Sequence, residues 1–188
     1  MEKERKLQII KAAVKRFDKH GVNKTTLDEI ARDLRIGKAT IYGYFKSKED
    51  LFFTVLNYEG SQFLEEIKII FNKEEIPLQE RFLEYFKSKE NISQKYKLIS
   101  DAFVQTLDDK GLDGELNFIK KLFNDEEEII RSILTKSGNK NFNQLLPNFL
   151  VIKSWGMSLG MRFQTLSEPQ KNLDFNDILL KDIENFLN

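Results

Sequence analysis

Two short amphipathic segments separated by a tight turn most constrain what the N-terminal part of this 188-residue chain can fold into. Thr26-Leu27-Asp28-Glu29 has the spacing of a capping box, in which a hydroxyl and a carboxylate each satisfy an unpaired amide at a helix start. Leu27, Ile30, Ala31 and Leu34 follow at i, i+3, i+4 and i+7, which predicts a short helix with one apolar face. Arg35-Ile36-Gly37 reads as the turn, and Lys38 to Phe45 as a second short helix with Ile41 and Phe45 inward. Upstream, Leu7, Ile10, Ala13, Val14 and Phe17 recur at helical spacing until Gly21 supplies a stop. Downstream, Ser47-Lys48-Glu49-Asp50 is a second capping signal. It opens a long helix to about Phe71, buried along Leu51, Val55, Phe63, Ile67 and Ile70.

A short helix, a turn and another short helix form a helix-turn-helix, whose second helix fits a DNA major groove. An interior corner of a helical bundle would show the same packing pattern, so the surface chemistry has to separate the two. With Ile41 and Phe45 inward, Ala39, Thr40, Gly43 and Tyr44 turn toward solvent or a groove. Lys38, Tyr42, Lys46 and Lys48 lie at the flanks, where amines and a phenol can reach phosphates. The charge distribution agrees. The chain is neutral overall, but residues 1–50 hold 13 basic and 8 acidic side chains and the remainder 17 and 22, a basic head on an acidic body.

The run Thr25-Thr26-Leu27-Asp28-Glu29-Ile30-Ala31, then Ile36 to Tyr44 and Phe45-Lys46-Ser47-Lys48-Glu49-Asp50-Leu51, resembles the signature of the TetR family of repressors over roughly residues 5–60. That resemblance implies a dimeric, one-component transcription regulator that is not an enzyme. It implies an all-α fold: a three-helix helix-turn-helix domain over 1–47, joined by a long helix to a helical ligand-binding and dimerisation domain over 48–188. It implies base or phosphate contacts by Lys38, Ala39, Thr40, Tyr42 and Tyr44, a phosphate at Thr25 and Thr26, and another at Lys48. Gly37 and Gly43 depart from the pattern. Gly37 replaces a serine cap, and Gly43 replaces a larger side chain and offers none for readout.

Beyond residue 71 the periodicity predicts helices over 77–89, 93–107, 114–136, 143–166 and 175–187, for about nine in all. Three prolines and nine glycines leave little room for the turns of an all-β fold. Leu146, Phe149, Leu150, Val151, Ile152, Trp155, Met157, Leu159, Met161 and Phe163 make the penultimate helix apolar on most sides, so it must be covered on most sides. Gly156 and Gly160 share a face that would let a partner helix approach, or would relieve packing inside one subunit. The resemblance implies that the last two helices, through Gly156, Gly160, Phe175, Ile178 and Ile183, form a four-helix dimer seam. Two-fold symmetry would match a palindromic duplex operator.

Fourteen of sixteen phenylalanines follow residue 50, and most of them must be plain core. A ring-rich domain can nonetheless line an apolar pocket, and an unidentified, largely apolar inducer is placed near Phe86, Phe103, Trp155 and Arg162. Ser154, Ser158, Arg162 and Thr165 form a polar stripe that could face that pocket, the dimer seam or water. No cofactor or metal is expected. The single histidine, His20, sits at a helix end, and Asp125 to Glu128 reads as a solvated helix face. No cysteine, phosphate-binding loop or nucleophile elbow supports an enzyme; a small helical enzyme or an interaction module are the competing readings. Charges throughout residues 1–20, and Lys153 and Arg162 within the most apolar stretch, argue against a signal peptide and a membrane span, so a cytoplasmic protein is expected.

Overall fold

The computed structural model describes residues 2–89, 91–107, 113–138, 143–164, 179 and 181–185, and every regular element among them is helical. The N-terminal elements are α1 (Glu2–His20), α2 (Leu27–Asp33), α3 (Lys38–Tyr44) and α4 (Lys48–Phe71). They are followed by α5 (Leu78–Ser88), α6 (Ile92–Lys95), α7 (Lys97–Leu107), α8 (Asp113–Lys136) and α9 (Leu146–Gln164). The helix expected over 93–107 is thus two helices, broken at Tyr96, whose ring is buried. Residues 181–185 are helical within the last segment expected from periodicity.

The chain packs into two compact units: residues 1–62 with 96–119, and residues 63–95 with 120–188. Both α4 and α8 contribute to each unit, and the break at Tyr96 is where the chain passes from the second back to the first.

In the first unit, Ile9, Ala13 and Phe17 of α1 and Ile30, Ile41 and Phe45 further along the chain are all essentially inaccessible to solvent. The Gly21 amide bonds the Phe17 carbonyl at 2.8 Å, and Gly21 adopts a φ of +79°, which ends α1 where the sequence places the stop. Ser47 accepts the Asp50 amide at 3.0 Å and Asp50 accepts the Lys46 amide at 2.9 Å, a reciprocal cap that starts α4. Leu98, Ile99 and Ala102 of α7 are buried in the same unit, and Lys97 Nζ bonds the Asp18 carbonyl at 2.7 Å.

Glu59 of α4 is buried beside the start of α7, where the amides of Leu98 and Ile99 bond its carboxyl. Burial, reinforced by the charges of Asp18 and Asp101, nevertheless pushes that carboxyl up to about 7. A carboxyl raised in the folded state contributes stability that is fully present below its unfolded value near 4.5 and is lost as pH rises through about 7. Unfolding by denaturant should therefore show lower stability at pH 8 than at pH 5.5. Glu59→Gln should recover about 2 kcal/mol at pH 8 and flatten the profile. An unchanged profile in the variant would assign the pH dependence elsewhere.

The second unit is built on rings. Phe71 meets Phe82 at 5.0 Å between centroids, Phe63 meets Trp155 at 5.8 Å, and Phe123 stacks on Trp155 at 5.2 Å. Arg81 donates to the Phe71 carbonyl at 2.8 Å and so closes the C-terminal end of α4.

Candidate nucleic-acid interface

The capping box forms as read from the sequence. The Thr26 amide donates to Glu29 Oε2 at 2.9 Å, and the Glu29 amide donates to Thr26 Oγ1 at 3.3 Å. These bonds with Thr26, and secondarily Arg16, hold the Glu29 carboxyl below its ordinary value. Arg16 reaches across from α1 to Asp33 at 2.5 Å and to Glu29 at 3.4 Å, tying α2 to α1. The turn is then made by an unexpected residue. Arg35, not Gly37, takes the left-handed conformation at φ +53°. The Ile36 amide bonds the Ala31 carbonyl at 2.9 Å and the Arg35 amide bonds Arg32 at 3.1 Å, the paired bonds of a left-handed helix cap. Gly37 is the N-cap of α3, with no side chain to bond its first amides.

This turn presents α3 with Ile41 as its single buried residue. Lys38, Ala39, Thr40, Tyr42 and Gly43 are exposed and Tyr44 is half-buried, so the residues expected to read DNA share the outer surface of one helix. Lys38 Nζ pairs with Asp28 at 2.8 Å, which raises its pKa, and lies 5.6 Å from the Tyr42 ring centroid. A methyl group added at Gly43 would meet nothing within 4 Å, so this glycine leaves a bare stretch of backbone facing outward.

Two expected phosphate ligands are placed differently. Thr25 is fully buried and its hydroxyl donates to the Gly21 carbonyl at 2.9 Å. Its role is to close the connection between α1 and α2, which leaves exposed Thr26 at the start of α2. Lys48 Nζ donates to the carbonyls of Val22 and Asn23 at 3.0 and 3.2 Å, so the ammonium fastens that same connection to the start of α4. An ammonium has three donors, and two of them are engaged here.

In the second unit, Phe86 and Trp155 are buried in the ring-rich core, while Phe103 belongs to the first unit and is half-buried. Glu126 is also completely buried, contrary to the reading of Asp125 to Glu128 as a solvated face. It lies four residues from Leu122 and Ile130 on the apolar face of α8, and that register is the signal that could have identified it. Its Oε1 accepts the Tyr85 hydroxyl at 2.6 Å and pairs with the Lys89 ammonium, and its Oε2 accepts the Trp155 indole N–H at 2.9 Å. Ser154 stands 2.9 Å from the Tyr85 oxygen, so the first residue of the polar stripe faces this cluster. Burial lowers Lys89 to about 8, against the upward pull of Glu126, and burial raises the Tyr85 phenol well above its ordinary value.

Of the residues expected at a dimer seam, Gly156 and Gly160 are exposed on α9. Leu145, Phe149 and Ile152, with exposures of 72%, 48% and 56%, precede them at spacings of four, three and four residues and continue the same face. Ile183, by contrast, is buried against its own chain, so the single subunit already covers it. Phe175, Ile178 and the side chain of Arg162 lie outside the described residues. No helix of the described residues is long and apolar enough to cross a membrane.

Residues 9–55 match the family model described as bacterial regulatory proteins, tetR family. The chain is 45% identical over 65 residues to an uncharacterised helix-turn-helix regulator, YhgD of Bacillus subtilis, covering 33% of this chain and about a third (34%) of that relative. It is 28% identical over 166 residues to the regulator QacR of Staphylococcus aureus, covering 73% of this chain and 88% of QacR. Among solved structures, Escherichia coli NemR in its reduced form superposes with a TM-score of 0.71 at 15% identity, covering 96% of this chain and 95% of NemR. The Bacillus subtilis regulator FadR, solved in complex with stearoyl-CoA, gives 0.66 at 18% identity, covering 96% and 97%. With the capping box, the turn and the outward face of α3 in place, residues 9–55 form a helix-turn-helix domain of the TetR family of bacterial regulatory proteins, and the chain as a whole is similar in fold to solved regulators.

Proposed function

We propose that the protein is a homodimeric repressor that holds a palindromic operator through α3 of each subunit and releases it when a largely apolar small molecule binds the helical domain. The observation that carries this reading is the exposed row Lys38, Ala39, Thr40, Tyr42, Gly43 and half-buried Tyr44 on a helix anchored from beneath by Ile41. Thr26 at the start of α2 and the remaining donor of Lys48 flank it as phosphate contacts. The exposed face of α9 supports pairing with a second copy, because bare glycine backbone lets helices approach and the apolar residues beside it are otherwise left in water. FadR of Bacillus subtilis, a regulator of the same fold, was solved in complex with stearoyl-CoA, which supports a ligand with a long apolar part.

The operator can be found by selecting bound duplexes from a random pool. The enriched sequence should be a palindrome with half-sites about one DNA turn apart, roughly 34–36 Å, or a multiple of it. Lys38→Ala and Tyr44→Ala should each weaken binding to that duplex about tenfold or more while leaving the helical spectrum unchanged. Lys48→Ala should weaken all duplexes alike and lower the salt slope by about one. Full affinity in both α3 variants on a gel shift would overturn the assignment.

A further inference from the structure

The outer surface of the helix-turn-helix carries an ion pair that joins its two short helices. Lys38 Nζ, at the first residue of α3, lies 2.8 Å from Asp28 Oδ2, at the second residue of α2. The two side chains are 68% and 43% exposed, and the Tyr42 ring centroid stands 5.6 Å from the ammonium. A pair so exposed contributes little to stability. Nor does α2 need this acid for its cap, since Thr26 and Glu29 already accept each other's amides there. A carboxylate also repels phosphate, so an acid tied to the leading lysine of a DNA-reading helix weakens general attachment to a duplex.

What the pair offers is a pattern of donors and an acceptor. Asp28 Oδ1 is buried without a hydrogen-bond partner, so the oxygen presented outward is Oδ2, with one lone pair on Lys38 and one free. The ammonium has three donors, of which Asp28 engages one. Two N–H donors therefore stand beside one acceptor. The major-groove edge of a G·C pair is their complement: guanine N7 and O6 accept, and cytosine N4 donates. In an A·T pair the adenine amino group takes the place of the second acceptor.

We propose that Lys38 and Asp28 read one G·C pair in each half-site as a unit, and that Asp28 is a specificity-determining residue which also restrains attachment to other sequences. The inference rests on the DNA-reading role of α3 given above and names the base pair that this part of it selects. Away from the operator, the Lys38 ammonium stays on Asp28 and neutralises no phosphate. On the operator, it donates to guanine while Oδ2 accepts from the cytosine amino group, so neither charge is left without a partner.

Selection of bound duplexes from a random pool, run on the full chain and its variants, tests this. The wild type should fix G·C at one position of each half-site, and Lys38→Ala should lose that position. In Asp28→Ala the preference for G·C over A·T there should fall about tenfold. Its affinity for an unrelated duplex should rise, and the slope of log affinity against log salt should steepen by about one per subunit as the freed Lys38 neutralises a phosphate. If Asp28→Ala does not fold, Asp28→Asn carries the salt measurement, because it removes the charge in nearly the same shape. An unchanged base preference or an unchanged slope overturns the proposal. So does a variant that only melts at a lower temperature, which is the result of a purely structural role. A wild-type chain that binds no duplex overturns the proposed function itself. Binding at a site that does not respond to Asp28 overturns this inference alone.

Discussion

Glu126→Ala should destabilise the chain by about 3–5 kcal/mol, roughly 10–15 °C in melting temperature, because it strands a charge where water cannot reach it. Lys89 is 1% exposed, and the ammonium has the carboxylate of Glu126 as its ion-pair partner. The same substitution removes the acceptor of the Trp155 indole N–H, and leaves the Tyr85 hydroxyl with Ser154. The penalty should shrink as pH is raised. Lys89 sits at about 8 in the folded chain against 10.5 when unfolded, so for this group alone stability rises with pH between those values. Without Glu126 to favour the charged amine, neutral Lys89 is reached still more readily. Lys89→Met combined with Glu126→Gln should recover more than half of the loss, since it removes the charge and keeps an acceptor for the indole. Denaturant unfolding of the three variants at pH 7 and pH 9 measures all of this. A loss below about 1 kcal/mol in Glu126→Ala would mean that the Lys89 ammonium escapes to solvent at little cost.

Ile152→Asp and Gly156→Leu should convert the protein to a folded monomer and lower operator affinity by at least about a hundredfold. Ile152 is 56% exposed, and a Cβ added at Gly156 would meet nothing within 4 Å among the described residues, so both positions lie on the outer surface of the described chain. Both fall on the face of α9 proposed to meet a second copy. Two linked heads bind two half-sites as one event, and a separated head has only its own contacts, which is why the effect on DNA should be large although neither residue is near it. Sedimentation at micromolar concentration gives the first half of the result and a gel shift on the selected operator gives the second. A dimer that survives both substitutions places the seam on another surface.

Much of the DNA-binding head is legible in the chain because its determinants are local. Thr26 and Glu29 are three residues apart and cap the same helix end, and Leu27, Ile30 and Ala31 lie on one stripe of it. The all-helical architecture follows from the same periodicity, continued through α8 and α9. Tertiary structure alone decided which polar groups are committed elsewhere. The Thr25 hydroxyl turns to Gly21 and the Lys48 ammonium to Val22 and Asn23, bonds that depend on how α1, α2 and α4 come together. Arg35 takes the left-handed turn in place of a nearby glycine because the bonds to Ala31 and Arg32 hold it there. The cluster of Lys89, Glu126, Tyr85, Ser154 and Trp155 joins three helices across up to 69 residues of sequence, as the Tyr85–Ser154 bond shows. Helical periodicity assigns each side chain to a face of its own helix, but a buried charge is stable only where another element supplies its partner, and that pairing exists only once the helices have packed.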